Sequence, residues 1–218
     1  PGMPEIDIPG IETMPGFAEF FRRPSPEDVP QEYRNWMGSV TVAKTVPQLR
    51  KFVEDGGTIV AVGSSATNLA RHFGLAVGNA LVEKTAAGER PLGRDTFFVP
   101  GSVLRAAVDN ASPLAYGMPA QVNVFFDNSP VFTLPPDAAA KNLRAAAWYD
   151  SAAPLRSGWA WGQQYLTGGI AAIEASVGKG KVFLFGPEVT FRGQPHGTFK
   201  LLFNGIYYGP SQPAKLGQ

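Results

Sequence analysis

Cysteine is absent from the 218 residues of the chain, and histidine occurs only as His72 and His196. Without cysteine there is no disulfide, no thiolate ligand for a metal and no thiol nucleophile. The two histidines form neither a His-x-x-Glu nor a His-x-x-x-His pair, so this chain alone is not expected to build a catalytic zinc site. The sequence therefore predicts no metal and no cofactor bound by this chain.

The sequence also lacks an excess of one charge and a long hydrophobic run. Its formal net charge is +1, and it has no block of like charges, which argues against binding to nucleic acid or to an anionic membrane. No apolar stretch reaches the length of about 20 residues that crosses a bilayer. With 44% hydrophobic residues, the chain is long enough to bury one sizeable core.

Proline and glycine divide the chain into three parts. Residues 1–44 are rich in proline and predict a covering loop with a short helix near residues 30–37. Residues 45–209 carry strand and helix patterns and predict one α/β domain, whereas the polar residues 210–218 predict a loose tail. A doubly wound sheet normally opens with a strand and a helix that are missing here, so we expect them to lie upstream of Pro1.

The stretch 45–74 has the pattern of helix, turn, strand, turn and helix. Residues 59–62 form a continuous apolar run, which is typical of a strand covered by helices on both faces. The chain then turns at Gly63, and the hydroxyl of Ser64 or Ser65 is expected to cap the following helix. The pattern predicts one βα unit of a layered α/β sheet.

The rest of the chain predicts further strands and a final helix. Glycines at positions 178 and 180 separate two apolar segments and predict a hairpin. Thr198 is expected to cap the last helix. Other short apolar runs predict antiparallel or edge additions to the sheet, at residues 96–99, 102–108, 122–126, 131–134 and 145–149.

This order of elements resembles the class I glutamine amidotransferase family. In that family, a nucleophile elbow of pattern Gly-x-Cys-x-Gly follows a strand, and the last strand ends near His-Pro-Glu. The resemblance places Ser64 at the cysteine, with Val62 and Ala66 at the two glycines. In the segment FGPE it places Gly186 at the catalytic histidine, while Glu188 keeps the acid. It implies a flavodoxin-like layered sheet with antiparallel β additions, in which the nucleophile and the base have both been lost.

Four longer segments carry a closer resemblance. They are similar to the amidotransferase-like domain that follows the catalytic domain in large bacterial zinc carboxypeptidase-like proteins. This resemblance implies a parent metallocarboxypeptidase that is exported to the periplasm or beyond, with the peptidase domain as the partner of this chain. The zinc would belong to that catalytic domain, and none of its ligands matches a position here. The segments are EYRNWMGSVTVAKTVPQLRKFVEDGGTIVAVGSS, VPGSVLRAAVDNASPLAYGMP, VFFDNSPVF and RGQPHGTFKLLFN.

One candidate binding site follows the last predicted strand. Arg192, Gln194 and His196 precede the N-terminus of the final helix, and ligands of open α/β sheets usually bind beyond the carboxyl ends of the strands. A helix N-terminus with an arginine nearby favours a small anion or the carboxylate of a peptide terminus. Ser64 and Ser65, at the other turn, are further candidates for contact with the ligand. The structural alternative is that Arg192 pairs with Glu188 and that His196 binds a turn carbonyl.

Two other functions stay open. A hydrolase or amidase would use Ser64 as nucleophile with His196 as base and Glu188 as acid, because a serine needs an adjacent base to react. A protein-interaction module would instead use the aromatic residues between Trp148 and Tyr165. The favoured interpretation is a non-catalytic accessory domain that packs on a peptidase domain.

Overall fold

The computed structural model describes residues 25–38, 40–86 and 88–211. The predicted loop over residues 1–24 and the predicted tail over residues 212–218 lie outside the described residues. The chain divides into two compact units, Pro1–Gln48 and Leu49–Gln218.

Two short 3-10 helices lie in the described part of the first unit. They run over Pro26–Asp28 and Gln31–Trp36, and the second coincides with the short helix predicted from sequence. The Tyr33 and Trp36 rings meet edge to face at 5.4 Å. Trp36 is 81% exposed, so this helix presents an aromatic ring to solvent.

The described chain also contains three α-helices and eleven strands, joined by loops and short 3-10 turns. The helices are α1, α2 and α3, over Thr45–Glu54, Ser64–His72 and Phe199–Tyr208. The strands β1 to β11 run in order over Thr58–Val62, Gly78–Asn79, Val82–Thr85, Gly88–Pro91, Ser102–Val108, Gln121–Phe126, Phe132–Thr133, Leu143–Trp148, Leu155–Ser157, Ile170–Val177 and Gly180–Phe185.

The main sheet has the strand order β1-β11-β10-β8-β5-β6. Its one parallel pair among the described strands joins β1 to β11, with Thr58 opposite Lys181 and Val62 opposite Phe185. Each later neighbouring pair along this order is antiparallel: β11 with β10, β10 with β8, β8 with β5, and β5 with β6. Short additions to the sheet are β2, β7 and β9. The predicted layered α/β sheet with antiparallel additions is confirmed.

The main cluster of buried residues joins the sheet to the helix α3. Leu104, Val124 and Phe126 from β5 and β6 are almost fully buried, as are Phe183 of β11 and Leu201 of α3. The hairpin predicted at residues 178–180 joins β10 to β11, and Gly178 has a φ of +59°, which glycine adopts without strain. Leu201 anchors the first turn of α3 in this cluster.

Several predictions at the level of single elements were wrong. The strand β1 is largely half-buried rather than covered on both faces, because it pairs only with β11 at one end of the sheet path. Residues 96–99 contribute one isolated bridge, from Phe98 to Trp161, instead of a strand. The run 131–134 narrows to the two-residue strand β7. The hairpin of β3 and β4 was missed altogether.

Candidate functional site

The turn from β1 into α2 is centred on Gly63. Its φ of 61° and ψ of −138° lie in a backbone region that is essentially restricted to glycine, and its N–H donates to the Phe185 carbonyl at 2.8 Å. In a nucleophile elbow, the strained residue at this junction carries the nucleophile. The strain falls one residue before Ser64, the position that the family resemblance matched to cysteine. A glycine at the strained position supplies no nucleophile.

Ser64 and Ser65 are the first residues of α2 and are exposed. Gly63 occupies the N-cap position, and no side chain caps the helix. The prediction that a serine caps α2 was therefore wrong. No hydrogen bond between described residues joins Ser64 to His196, so the nucleophile–base pair of the hydrolase alternative is not formed in the structure.

Gly186 is buried just after β11, at the position matched to the catalytic histidine. Its N–H donates to the Ala171 carbonyl at 2.9 Å. A Cβ at this position would lie well inside van der Waals contact with the Pro130 carbonyl oxygen. Position 186 therefore leaves no space for a side chain of any kind.

The loop from Val189 to Thr198 crosses from β11 to α3. The buried hydroxyl of Thr198 holds it closed, at 2.5 Å from the Val189 carbonyl and 2.8 Å from the Pro195 carbonyl. Because this hydroxyl bonds backwards into the loop, Thr198 makes no side-chain cap for α3, contrary to the sequence prediction. The loop contains two 3-10 turns, Phe191–Gly193 and His196–Thr198.

The three residues predicted to bind an anion all lie on this loop and are exposed. Arg192 has a φ of 48° and a ψ of 24°, the left-handed conformation that side-chain-bearing residues rarely adopt. Its guanidinium lies 5.1 Å from the centre of the Phe191 ring. That ring stacks on Phe125 of β6, with centroids 4.0 Å apart and an interplanar angle of 13°. The His196 ring lies 5.2 Å from that of Phe199.

The pairing of Arg192 with Glu188 that sequence suggested as an alternative does not form. Ion pairs between described residues join other partners, such as Arg144 with Asp109. The Arg192 guanidinium is thus held by an aromatic ring and left without a carboxylate among the described residues.

A groove of about 450 Å³ lies between the loop and β6. Of the predicted site residues, Gln194 lines it, and Phe191 forms part of the same wall. Sequence reasoning missed the contribution of β6, because no pattern in the sequence shows which strand ends the sheet. The full lining is Val103, Pro119, Gln121, Val122, Asn123, Val124, Phe125, Phe191, Gln194, Pro195 and Gly197.

The aromatic segment between β8 and β10 is partly exposed. Trp159 and Trp161 are 54% and 53% exposed, and Tyr165 is 45% exposed, whereas Trp148 is half-buried. The Trp161 indole N–H donates to the Asp95 carbonyl at 2.7 Å, which anchors one edge of this ring. These residues form a surface rather than part of the core.

Within residues 25–38, 40–86 and 88–211, no group of three or more His, Asp or Glu side chains is arranged to hold a metal ion. The same residues include no helix with the length and apolarity needed to span a bilayer.

Comparison with known proteins gives similarity at the level of structure only. No family model matches the sequence, and no curated protein does. A protein assigned as part of a GMP synthase from Thermoplasma acidophilum is 14% identical, over 76% of this chain and 64% of its own, with a TM-score of 0.44. PurLQS from Thermotoga maritima is 14% identical, over 76% of this chain and 68% of its own, with a TM-score of 0.46.

A β-galactosidase from Bacillus circulans sp. alkalophilus is 11% identical, over 76% of this chain but only 20% of its own, with a TM-score of 0.45. The chain therefore spans less than two thirds of two of these three proteins. Similarities of this extent assign neither a family nor a function to it.

Proposed function

We propose that this chain is a non-catalytic, amidotransferase-like accessory domain of a larger zinc carboxypeptidase-like protein. It packs against the peptidase domain and binds a small anion or a peptide terminus at the loop from Val189 to Thr198. The parent protein is an exported hydrolase, and its zinc belongs to the peptidase domain. The proposal rests on the sequence resemblance together with the geometry of the two turns and of the loop.

The observation that carries the non-catalytic part is the closed space at Gly186. A base at this position needs room for an imidazole, and the Pro130 carbonyl occupies the place of the first side-chain atom. At the other turn, the strained residue is Gly63, which offers no nucleophilic group. General-base activation of a nucleophile requires both partners within hydrogen-bond reach, and this pair of positions supplies neither.

Hydrolysis assays test this part directly. We expect the purified chain, incubated with glutamine and with p-nitrophenyl acetate, to release ammonia and nitrophenol no faster than buffer does. Ammonia or nitrophenol release that Ser64→Ala abolishes would contradict the proposal and establish the hydrolase alternative.

The left-handed backbone of Arg192 supports anion binding. A non-glycine residue in this conformation costs roughly 1–2 kcal/mol, and such strain is concentrated at functional sites. The guanidinium is exposed and has no carboxylate partner among the described residues, and His196 lies four residues further along the same loop. An arginine recognises a carboxylate or a phosphate through two parallel hydrogen bonds.

Titration of acetate and phosphate, followed through the backbone amide NMR signals of residues 189–198, tests the binding site. Arg192→Gln is expected to weaken binding by roughly fivefold or more. Arg156→Gln is the matched control, because Arg156 is an exposed arginine on β9. Equal affinity in the two variants would show that the loop is not the anion site.

The outer face of α3 supports packing against another domain. Phe203 and Ile206 are each 52% exposed, and Tyr207 is 79% exposed. Their spacing of three and four residues puts them on one side of the helix. A surface helix normally carries polar residues there.

The intact parent protein provides the test of this packing. Phe203→Lys combined with Tyr207→Lys is expected to release the domain, measured as faster proteolytic separation of the two parts. Lys200→Arg, on the same helix, is the control and should leave the rate of separation unchanged.

A second candidate function is a protein-interaction module built on the exposed indoles. The half-exposed Trp159 and Trp161 favour it, because tryptophans at interfaces provide large contact areas. In that case, Trp159→Ala would release the parent's peptidase domain, and the α3 variants would not.

A further inference from the structure

The strand β6 ends the sheet path and has one free edge. It pairs with β5 in an unbroken antiparallel register, in which Asn123 lies opposite Arg105. Just before the strand, the Val108 N–H donates to the Ala120 carbonyl at 2.9 Å. Because the backbone groups of successive residues in such a pair point to alternate sides, those of Gln121, Asn123 and Phe125 point away from β5.

These outward backbone groups have no partner among the described residues. Outside the ladder that joins β5 to β6, the hydrogen bonds between described residues include none from or to the backbone of Gln121, Asn123 or Phe125. An edge strand with a row of unpaired N–H and C=O groups is a template for another strand. Gln121, Asn123 and Phe125 are among the residues that line the groove of about 450 Å³.

The far wall of the groove is the loop that carries the proposed anion site. It approaches β6 at one end through the stacked rings of Phe191 and Phe125. Near the other end, a Cβ on Gly197 would lie 3.4 Å from a methyl carbon of Val122. Because Val122 and Phe125 project from opposite faces of β6, the loop approaches the strand from both faces and would obstruct the alignment of a second sheet along it.

The dimensions match a short peptide. At about 3.3 Å per residue, the five residues from Gln121 to Phe125 extend over roughly 13 Å, which three or four residues of an extended peptide would cover. The groove volume falls within the range of roughly 300–1,000 Å³ that is usual for ligand sites.

We propose that an extended peptide binds in this groove as an added strand, with its backbone paired to Gln121, Asn123 and Phe125. Its terminal carboxylate extends beyond the groove to Arg192, the residue that follows Phe191 of the lining, so the inference rests on the proposed binding of a peptide terminus. Backbone pairing would supply the affinity, and the groove wall between Phe191 and Pro195 would select side chains.

The test compares Asn123→Pro with Asn123→Ala. Both remove the amide side chain, but only proline removes the N–H that faces the groove. Proline is tolerated in an edge strand where its N–H would point away from the sheet, and circular dichroism checks that both variants fold. The probe is a pool of random-sequence hexapeptides with free carboxyl termini, followed by backbone amide NMR, after which the sequence that binds most tightly is synthesised for titration.

We expect that peptide to shift the amide signals of residues 121, 123 and 125. Asn123→Pro is expected to weaken its binding by roughly tenfold or more, and Asn123→Ala by less than about threefold. Absence of any binding peptide, or equal binding by the two variants, would overturn the added strand. A dimer that Asn123→Pro dissociates would also overturn it and would identify a second copy as the occupant.

The same titrations separate this inference from the proposed function. If Arg192→Gln weakens peptide binding and Asn123→Pro does not, the anion site stands and the added strand is wrong. If only Asn123→Pro weakens it, the peptide pairs with β6 without a contribution from Arg192.

Discussion

Oε1 of Glu188 lies 3.1 Å from the point at which a Cβ of Gly63 would stand. The acid that the amidotransferase resemblance preserves therefore borders the space into which a nucleophile would project. Glu188 is exposed, so its carboxylate is solvated beside the turn. The two turns of the resemblance are brought together in the structure, with glycine at position 63 and at position 186.

Gly63→Ala is expected to lower the free energy of unfolding by about 1–3 kcal/mol. The φ of 61° and ψ of −138° disfavour any side chain, and the added methyl group would crowd Glu188. Urea denaturation measures the change. Ser64→Ala, one residue on, is the control, and we expect it to alter stability by less than about 0.5 kcal/mol because the serine caps nothing. Equal effects would mean that the turn is not strained at Gly63.

Arg192→Gly is expected to be more stable than Arg192→Ala by about 1 kcal/mol. Both substitutions remove the guanidinium and its contact with Phe191, so the difference isolates the cost of a side chain in the left-handed conformation. Thermal denaturation at one pH measures it. Both variants should lose the anion affinity of the wild type. If the two variants unfold at the same temperature, residue 192 does not hold the left-handed conformation.

Tyr208→Phe is expected to cost about 1–3 kcal/mol at neutral pH. The phenol donates to the buried Glu174 carboxylate at 2.6 Å, and the substitution leaves that oxygen without this donor. Tyr207→Phe, on the exposed side of the same helix, should change little. Comparable losses in both variants would contradict the hydrogen bond.

The same tyrosine should make stability depend on alkaline pH. Burial, assisted by the hydrogen bond from the phenol to Glu174, raises the pKa of Tyr208 from 10.0 to about 12. A raised pKa favours the protonated phenol in the folded state, so its contribution is complete below pH 10 and is lost as the pH rises through about 12. Urea denaturation between pH 8 and pH 12, a range that begins below the ordinary pKa and ends at the raised one, should show a steeper loss of stability in the wild type than in Tyr208→Phe.

Tyr149→Phe, unlike Tyr208→Phe, is not expected to lower the free energy of unfolding. The Tyr149 side chain is fully buried, burial raises its pKa, and its hydroxyl has no hydrogen-bond partner among the described residues. An unpaired buried hydroxyl costs roughly 1–3 kcal/mol, so replacing it by hydrogen should leave stability unchanged or raise it by about 1 kcal/mol. Differential scanning calorimetry tests this, and a clear loss of stability would reveal a partner for the phenol.

Local sequence patterns predicted the strand β1 and the helix α2 well. The apolar run at residues 59–62 and the glycine after it indicated β1 and the turn into α2, because burial and backbone geometry act there within a few residues. The hairpin of β10 and β11 was equally predictable from its two glycines. In contrast, β3 and β4 have little apolar surface to alternate, since β4 is exposed throughout, and no periodicity revealed them.

The candidate site was only partly predictable, for a different physical reason. Arg192, Gln194 and His196 are neighbours in sequence, so their shared loop was accessible to sequence reasoning. The groove depends on which strand ends the sheet and on the stacking of Phe125 with Phe191, a contact between residues far apart in the chain. At the elbow, the strained residue is Gly63 and not Ser64, which the resemblance matched to the nucleophile. This difference depends on backbone dihedral angles, which residue type alone does not determine.

The carbonyl of Pro130 beside Gly186 also limits any attempt to engineer this scaffold into a glutaminase. Writing a cysteine and a histidine into the two matched positions would not suffice, since the imidazole would collide with the main chain of a neighbouring segment. A designer would first have to redirect the backbone between β6 and β7, so the obstacle to installing the reaction lies in the architecture as well as in the choice of side chains.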